Sequence, residues 1–199
     1  MLGLPQSTEV KRPLPKAQLY KRLDWKPSQR ESFDGQMSRL DFVNWIAPRT
    51  LPAIAEGTEV KEIFVIEVSL KNRDYDPKNI TLLAKSIPQH IIYLLRYESD
   101  AMLAVYHSKL FTSSWQTLTN VTIPLEGLSL DAVWQNIVAF VAKIEITEDN
   151  SLTEQIHVDE ERTRLVRQIE SLERLMRSTS QPRRQQKLYS EIKKLKSFL

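Results

Sequence analysis

Between Glu62 and Leu70 apolar side chains occupy both parities of the chain. Phe64, Ile66, Val68 and Leu70 line one face of an extended segment, and Ile63 and Val65 make its first half apolar on the other. That pattern predicts a central β-strand, since only a strand covered on both sides is apolar on both sides. A proline turn over Asp74 to Lys78 follows, and then Ile80, Leu83, Ala84 and Ile87 recur at helical spacing until Pro88 stops them. Ile91 to Tyr97 and Met102 to His107, joined through Glu98, Ser99 and Asp100, read as a β-hairpin. Trp115 to Ile123 alternates less cleanly and predicts a strand nearer the sheet edge. Ser129 is placed to cap a helix whose Leu130, Val133, Trp134, Ile137, Val138 and Val141 form a broad apolar face, with Asp131 near the positive end of its dipole.

The first third carries weaker periodicity. Residues 1–14 are rich in proline and turn-formers and read as an extended lead-in. Pro15 suits the first position of a short helix bearing Leu19 and Leu23. A second helix is expected after Pro27, with Phe33, Met37, Leu40 and Asn44 or Val43 at helical spacing, ending before Pro48 and weakened by Gly35. The sum is an α+β chain with a mixed sheet of about four strands packed by helices. If the strands flanking the Ile80 to Ile87 helix are parallel, their crossover should be right-handed.

The last part changes character. Leu165, Ile169, Leu172 and Met176 step by four, three and four, and Leu188, Ile192, Leu195 and Leu199 repeat the same steps. Turn chemistry at Ser178 to Pro182 separates the two seams, so a C-terminal antiparallel helical hairpin of coiled-coil type is expected. Each seam spans under two heptads, too short to be robust alone, which implies that the hairpin leans on the core or on a partner.

Charge sharpens this division. Residues 1–144 carry 17 Lys and Arg against 15 Asp and Glu, a balanced surface. Glu145, Glu148, Asp149, Glu154, Asp159, Glu160 and Glu161 then follow with no intervening Lys or Arg, whereas from Arg162 onward only Glu170, Glu173 and Glu191 oppose eleven cations. The expected organisation is a core domain at 1–146, an acidic linker at 147–161 and a basic hairpin at 162–199. The 41% apolar and 27% charged composition is that of an ordinary globular chain. Without cysteine there is no disulfide framework, thiolate cluster or cysteine nucleophile, which fits a reducing compartment. No signal-peptide pattern opens the chain and no apolar run approaches the roughly 20 residues of a membrane span, so a cytoplasmic location is expected.

Catalytic patterns are sparse. His90, His107 and His157 show none of the i, i+4 pairing of a helical metal site, so no metal site is expected. Gly3, Gly35, Gly57 and Gly127 are isolated, which excludes a glycine-rich phosphate loop, and no cofactor is expected. Glu59, Lys61, Glu62 and Glu67 lie on or beside the strongest strand and form the only candidate set for a metal-dependent nuclease, although no upstream aspartate marks itself as their partner. The bland alternative makes Glu67 a polar strand residue paired with a nearby base and leaves the others solvated. Arg164, Arg167, Arg174, Arg177, Arg183, Arg184, Lys187, Lys193, Lys194 and Lys196 supply the arm with charge that can neutralise phosphates whatever the base sequence. With only Tyr189 and Phe198 as aromatics there, backbone contact is favoured over base stacking. Two other readings of the arm are a solvated helix face and a partner for the acidic stretch before it.

The order Leu4-Pro5-Gln6-Ser7-Thr8, Leu14-Pro15-Lys16 with Tyr20, Val60 to Leu70, Ile87-Pro88-Gln89-His90-Ile91 and a charged C-terminal hairpin resembles the bacterial domain-of-unknown-function 4391 family over nearly the whole chain. The resemblance implies a gene context beside helicases, DNA methyltransferases and restriction-like proteins of defence loci, but no activity. It also implies that Pro15, Lys16 and Tyr20 shape a shared N-terminal feature, with Lys16 binding a phosphate or capping local backbone. The resulting expectation is a non-catalytic accessory or adaptor subunit that meets a helicase, a methyltransferase or a DNA or RNA backbone through its arm. The alternatives are the metal-dependent nuclease and a plain sequence-independent nucleic-acid binder.

Overall fold

The computed structural model describes residues 2–144, 152–179 and 181–197. They form two compact units, divided between Lys143 and Ile144. In the first, the elements run β1 (Glu9–Pro13), α1 (Lys16–Arg22), α2 (Pro27–Gln36), β2 (Met37–Ile46), β3 (Ile63–Leu70), α3 (Pro77–Ser86), β4 (His90–Tyr97), β5 (Asp100–His107), β6 (Lys109–Thr112), β7 (Gln116–Thr117) and α4 (Leu130–Ala142).

One sheet organises the unit, in the order β1-β2-β3-β4-β5-β6, with β7 also on β5. All neighbours are antiparallel except β3 and β4, which are parallel and joined by α3. The class is the mixed α+β arrangement expected from the pattern, but among the described residues the sheet has seven strands. Two of the additions, β1 and β2, have a physical reason for their silence in the sequence. β1 is an exposed edge strand ending in Pro13, so it lacks an apolar face. β2 occupies residues expected to prolong the helix after Pro27, which instead stops at Gln36. Register shifts between Met37 and Arg39 and between Phe42 and Asn44 put extra residues into β2, so its buried positions fall at Met37, Leu40, Asn44 and Ile46. Bulges of this kind stretch a two-residue period into a three-to-four-residue one and counterfeit a helix. Conversely, in the strand expected over Trp115 to Ile123 only Gln116–Thr117 pairs, and a 3-10 turn at Leu118–Asn120 leads to the buried Val121 and Ile123.

β3, β4 and β5 are buried on both faces. Ile66, Val68, Tyr93, Leu95, Met102 and Ala104 pack with Leu19, Trp25, Phe33, Ile80 and Leu83 from the α1–α2–α3 side. By alternation, Ile63, Val65, Ile92, Leu94, Leu103 and Val105 face the other way, where α4 meets β5 and β6 and buries Leu130, Val133, Ile137, Val138 and Val141.

The second unit contains α5 (Leu152–Ser178) and α6 (Pro182–Lys196), packed against each other as the predicted hairpin. Ile169, Leu188 and Ile192 are buried in it, and Leu165, Leu172, Met176 and Leu195 are half-buried. Helix α5 begins ten residues before Arg162, so the stretch from Leu152 to Glu161 is helical. Glu145, Glu148, Asp149, Phe198 and Leu199 lie outside the described residues. No described helix is long and apolar enough to cross a membrane.

Candidate functional site

Pro15 takes the N-cap of α1, and the helix places Lys16 and Tyr20 one turn apart on the same face. Both reach the same atom. The Lys16 ammonium donates to Asp34 Oδ1 at 2.7 Å and to the Met37 carbonyl at 2.6 Å, and the Tyr20 hydroxyl donates to Asp34 Oδ1 at 2.8 Å. Met37 is the C-cap of α2, so Lys16 places a cation where that helix end is negative. Burial pushes the Asp34 carboxyl up, but hydrogen bonds from Lys16 and Tyr20 and the charges of Lys16 and Lys71 outweigh it and hold the group below its ordinary value. Burial, reinforced by Asp34, raises the Tyr20 phenol. The Arg30 guanidinium lies 5.5 Å from the Tyr20 ring centroid. The N-terminal motif thus locks α1 onto α2, and the Lys16 amine is spent on internal acceptors. Asp34 was the piece missing from the sequence reading.

The other half of the N-terminal pattern also has a partner. Thr8 is buried, its hydroxyl donating to the Pro5 carbonyl at 2.8 Å and accepting from Asn44 Nδ2 at 2.8 Å. Asn44 is therefore a buried polar residue of β2 tied to the turn that leads into β1.

The four candidate nuclease residues do not converge. Glu62 accepts from the Trp45 indole at 2.9 Å. Lys61 donates to the Gly57 carbonyl at 2.8 Å and pairs with Glu56 at 3.3 Å. Glu59 is exposed, in the loop before β3, where its own amide and those of Thr58 and Val60 donate to the Asp131 carboxylate. These amides, Val60 foremost, hold the Asp131 carboxyl below its ordinary value against the opposing effect of burial. Asp131 thus clamps a distant loop besides sitting in the first turn of α4.

Glu67 does acquire an aspartate neighbour that the sequence did not mark. Asp41 on β2 is its register partner, so the two side chains share one face. Their carboxylates, 16% and 15% exposed, are each held by an arginine: Arg39 grips Asp41 through two nitrogens at 2.6 and 2.8 Å, and Arg96 pairs with Glu67 at 3.1 Å. Both acids are thus engaged by guanidinium groups, and among the described residues no three His, Cys, Asp or Glu side chains gather as metal ligands.

The arm presents a different picture. All ten of its singled-out cations are exposed on α5 and α6. Among the described residues only Arg174, with Glu170 at 3.7 Å, and Lys196, with Glu173 at 2.9 Å, are in ion pairs. Val166, Leu175 and Tyr189 stand exposed among them.

Compared with protein families, the chain matches over residues 2–199 the model described as Domain of unknown function (DUF4391). The chain belongs to this family. No curated protein and no solved structure matches it. Family membership covers the sheet unit and the arm together, so both belong to what DUF4391 members share, and the family description carries no activity to transfer.

Proposed function

We propose that this DUF4391 protein is a non-catalytic accessory subunit of a DNA-processing or anti-phage defence assembly, with the sheet unit as its body and the arm gripping a nucleic-acid backbone. The observation that supports the reading is the charge state of the hairpin: ten exposed cations, of which two are ion-paired among the described residues. Clustered, exposed cations are what counterion release from phosphates requires. The helicase or methyltransferase context rests on the family resemblance alone.

The test is fluorescence anisotropy of the full-length protein with a duplex of arbitrary sequence. Affinity should fall log-linearly with salt, and the combined Arg164→Gln, Arg167→Gln, Arg183→Gln and Arg184→Gln variant should bind at least about tenfold more weakly at low salt. Unchanged affinity in that variant would remove the arm from the reading. The partner half is tested by affinity purification from the native host, where recovery of the protein without a helicase or methyltransferase at mild salt counts against it.

A hydrolytic alternative rests on the Asp41 and Glu67 pairing. It requires magnesium- or manganese-dependent plasmid cleavage that disappears in Glu67→Ala, and an unchanged rate in that variant eliminates the site.

A further inference from the structure

The cations of the arm fall in an order that its apolar seam does not require. On α5, Arg164, Arg167, Ser171, Arg174 and Ser178 step by three, four, three and four. On α6 and its C-cap, Arg183, Lys187, Ser190, Lys194 and Ser197 step by four, three, four and three. Alternating steps of three and four keep side chains on one side of a helix, as they do for the seam itself. Both rows stand on the side turned away from the seam, and every residue in them is exposed. Each row is three cations separated only by serines, with no acid in it.

The acids of the hairpin stand beside the rows. Glu173 is held by Lys196 at 2.9 Å, a pair that ties α5 to α6 and uses no row cation. Glu170 meets Arg174 at 3.7 Å, but the Arg174 side chain stays 78% exposed. Arg177, Arg184 and Lys193 lie on the flanks and broaden the charge at each edge.

Geometry separates the two rows. At about 1.5 Å of rise per residue, each is about 21 Å long. In a two-helix hairpin the outer sides of the partners face in opposite directions, and with each helix about 10 Å across the rows are about 20 Å apart. A straight duplex laid along one row therefore cannot reach the other. The rows contain no aromatic side chain on which a base could stack, so they suit a duplex, whose bases are covered, better than a single strand. Evenly spaced cations with small hydroxyl residues between them meet phosphates and read no base.

Resting on the reading of the arm as a grip on nucleic-acid backbone, we propose that the hairpin has two binding faces, the α5 row holding one segment of duplex DNA and the α6 row a second, so that one chain bridges them.

Two short duplexes of arbitrary sequence, one with a donor dye and one with an acceptor, test this with the full-length protein at low salt. Energy transfer should rise as protein is added, pass through a maximum and fall at excess, when each duplex has a chain of its own. Two variants separate the faces. Arg164→Gln, Arg167→Gln and Arg174→Gln together clear the α5 row, and Arg183→Gln, Lys187→Gln and Lys194→Gln clear the α6 row. Glutamine is a good helix former, and unchanged circular dichroism verifies the hairpin in both. By anisotropy each variant should still bind a single duplex through its remaining face, within about fivefold of the parent's affinity, yet give no energy transfer above that of the free duplexes. Combining all six substitutions should abolish both signals. The proposal is overturned if either variant still bridges, as a dimer using one face would, or if clearing one row abolishes binding of a single duplex. It is also overturned if the parent binds duplex without bridging, an outcome that leaves the backbone-gripping arm standing, whereas absence of any duplex binding removes both readings.

Discussion

A methyl group added at Gly57 would collide with Oδ1 of Asp131, the atom that accepts from the Val60 amide at 2.7 Å. Glycine is required there because the loop before β3 closes tightly around a carboxylate from α4. Gly57→Ala should therefore lower the melting temperature, as should Asp131→Asn, and the double variant should lose less than the two single losses combined, because either change breaks the same clamp. A double-mutant cycle by thermal unfolding checks this. The pH dependence has a definite sign. The folded-state value of Asp131 is depressed, so its contribution is complete above the unfolded value near ~3.9 and is lost as pH falls through the folded one. The parent should lose stability more steeply than Asp131→Asn in that acid range.

Asp34 anchors two donors from one helical face, and the donors differ in what their loss leaves behind. Tyr20→Phe removes one neutral donor and should cost about 0.5–1.5 kcal/mol. Lys16→Met strips both Asp34 and the α2 C-cap carbonyl of a charged donor and should cost more, about 1–3 kcal/mol. Chemical denaturation gives both values. Equal losses, or none for Lys16→Met, would show that the lysine is not the bolt between α1 and α2.

Thr8→Val keeps the shape of the side chain but removes the hydroxyl that accepts from Asn44. The buried Asn44 amide is then unpaired, and the expected loss is about 1–3 kcal/mol. Adding Asn44→Leu to that variant should recover part of it, since replacing both partners removes the unsatisfied group. Equilibrium denaturation of the three variants decides the point.

The arm's seam is narrow, with Ile169, Leu188 and Ile192 as its buried centre. Ile169→Ala should raise amide exchange throughout α5 and α6 while leaving β3, β4 and β5 protected, because the two units are separately compact. Hydrogen exchange read by mass spectrometry reports both in one experiment. In duplex binding, each arm cation that touches a phosphate should reduce the salt slope by about 0.9 when neutralised.

Much of this protein was legible along the chain wherever burial is regular. The doubly apolar run from Ile63 to Leu70 marked the central strand, Ser129 and the apolar face after it marked α4, and the four-three-four steps marked both arm helices. Local periodicity carries that information because each of these elements buries a constant face. Tertiary structure alone decided the rest. Bulges in β2 disguised a strand as a helix, and edge strand β1 buries too little to leave a pattern. The partners Asp34 to Lys16, Asp131 to Gly57 and Asp41 to Glu67 are set by the order in which strands and helices pack, as is the meeting of His90 with Trp134. No spacing in the sequence encodes them, because hydrogen bonds and cavity walls depend on distance in space.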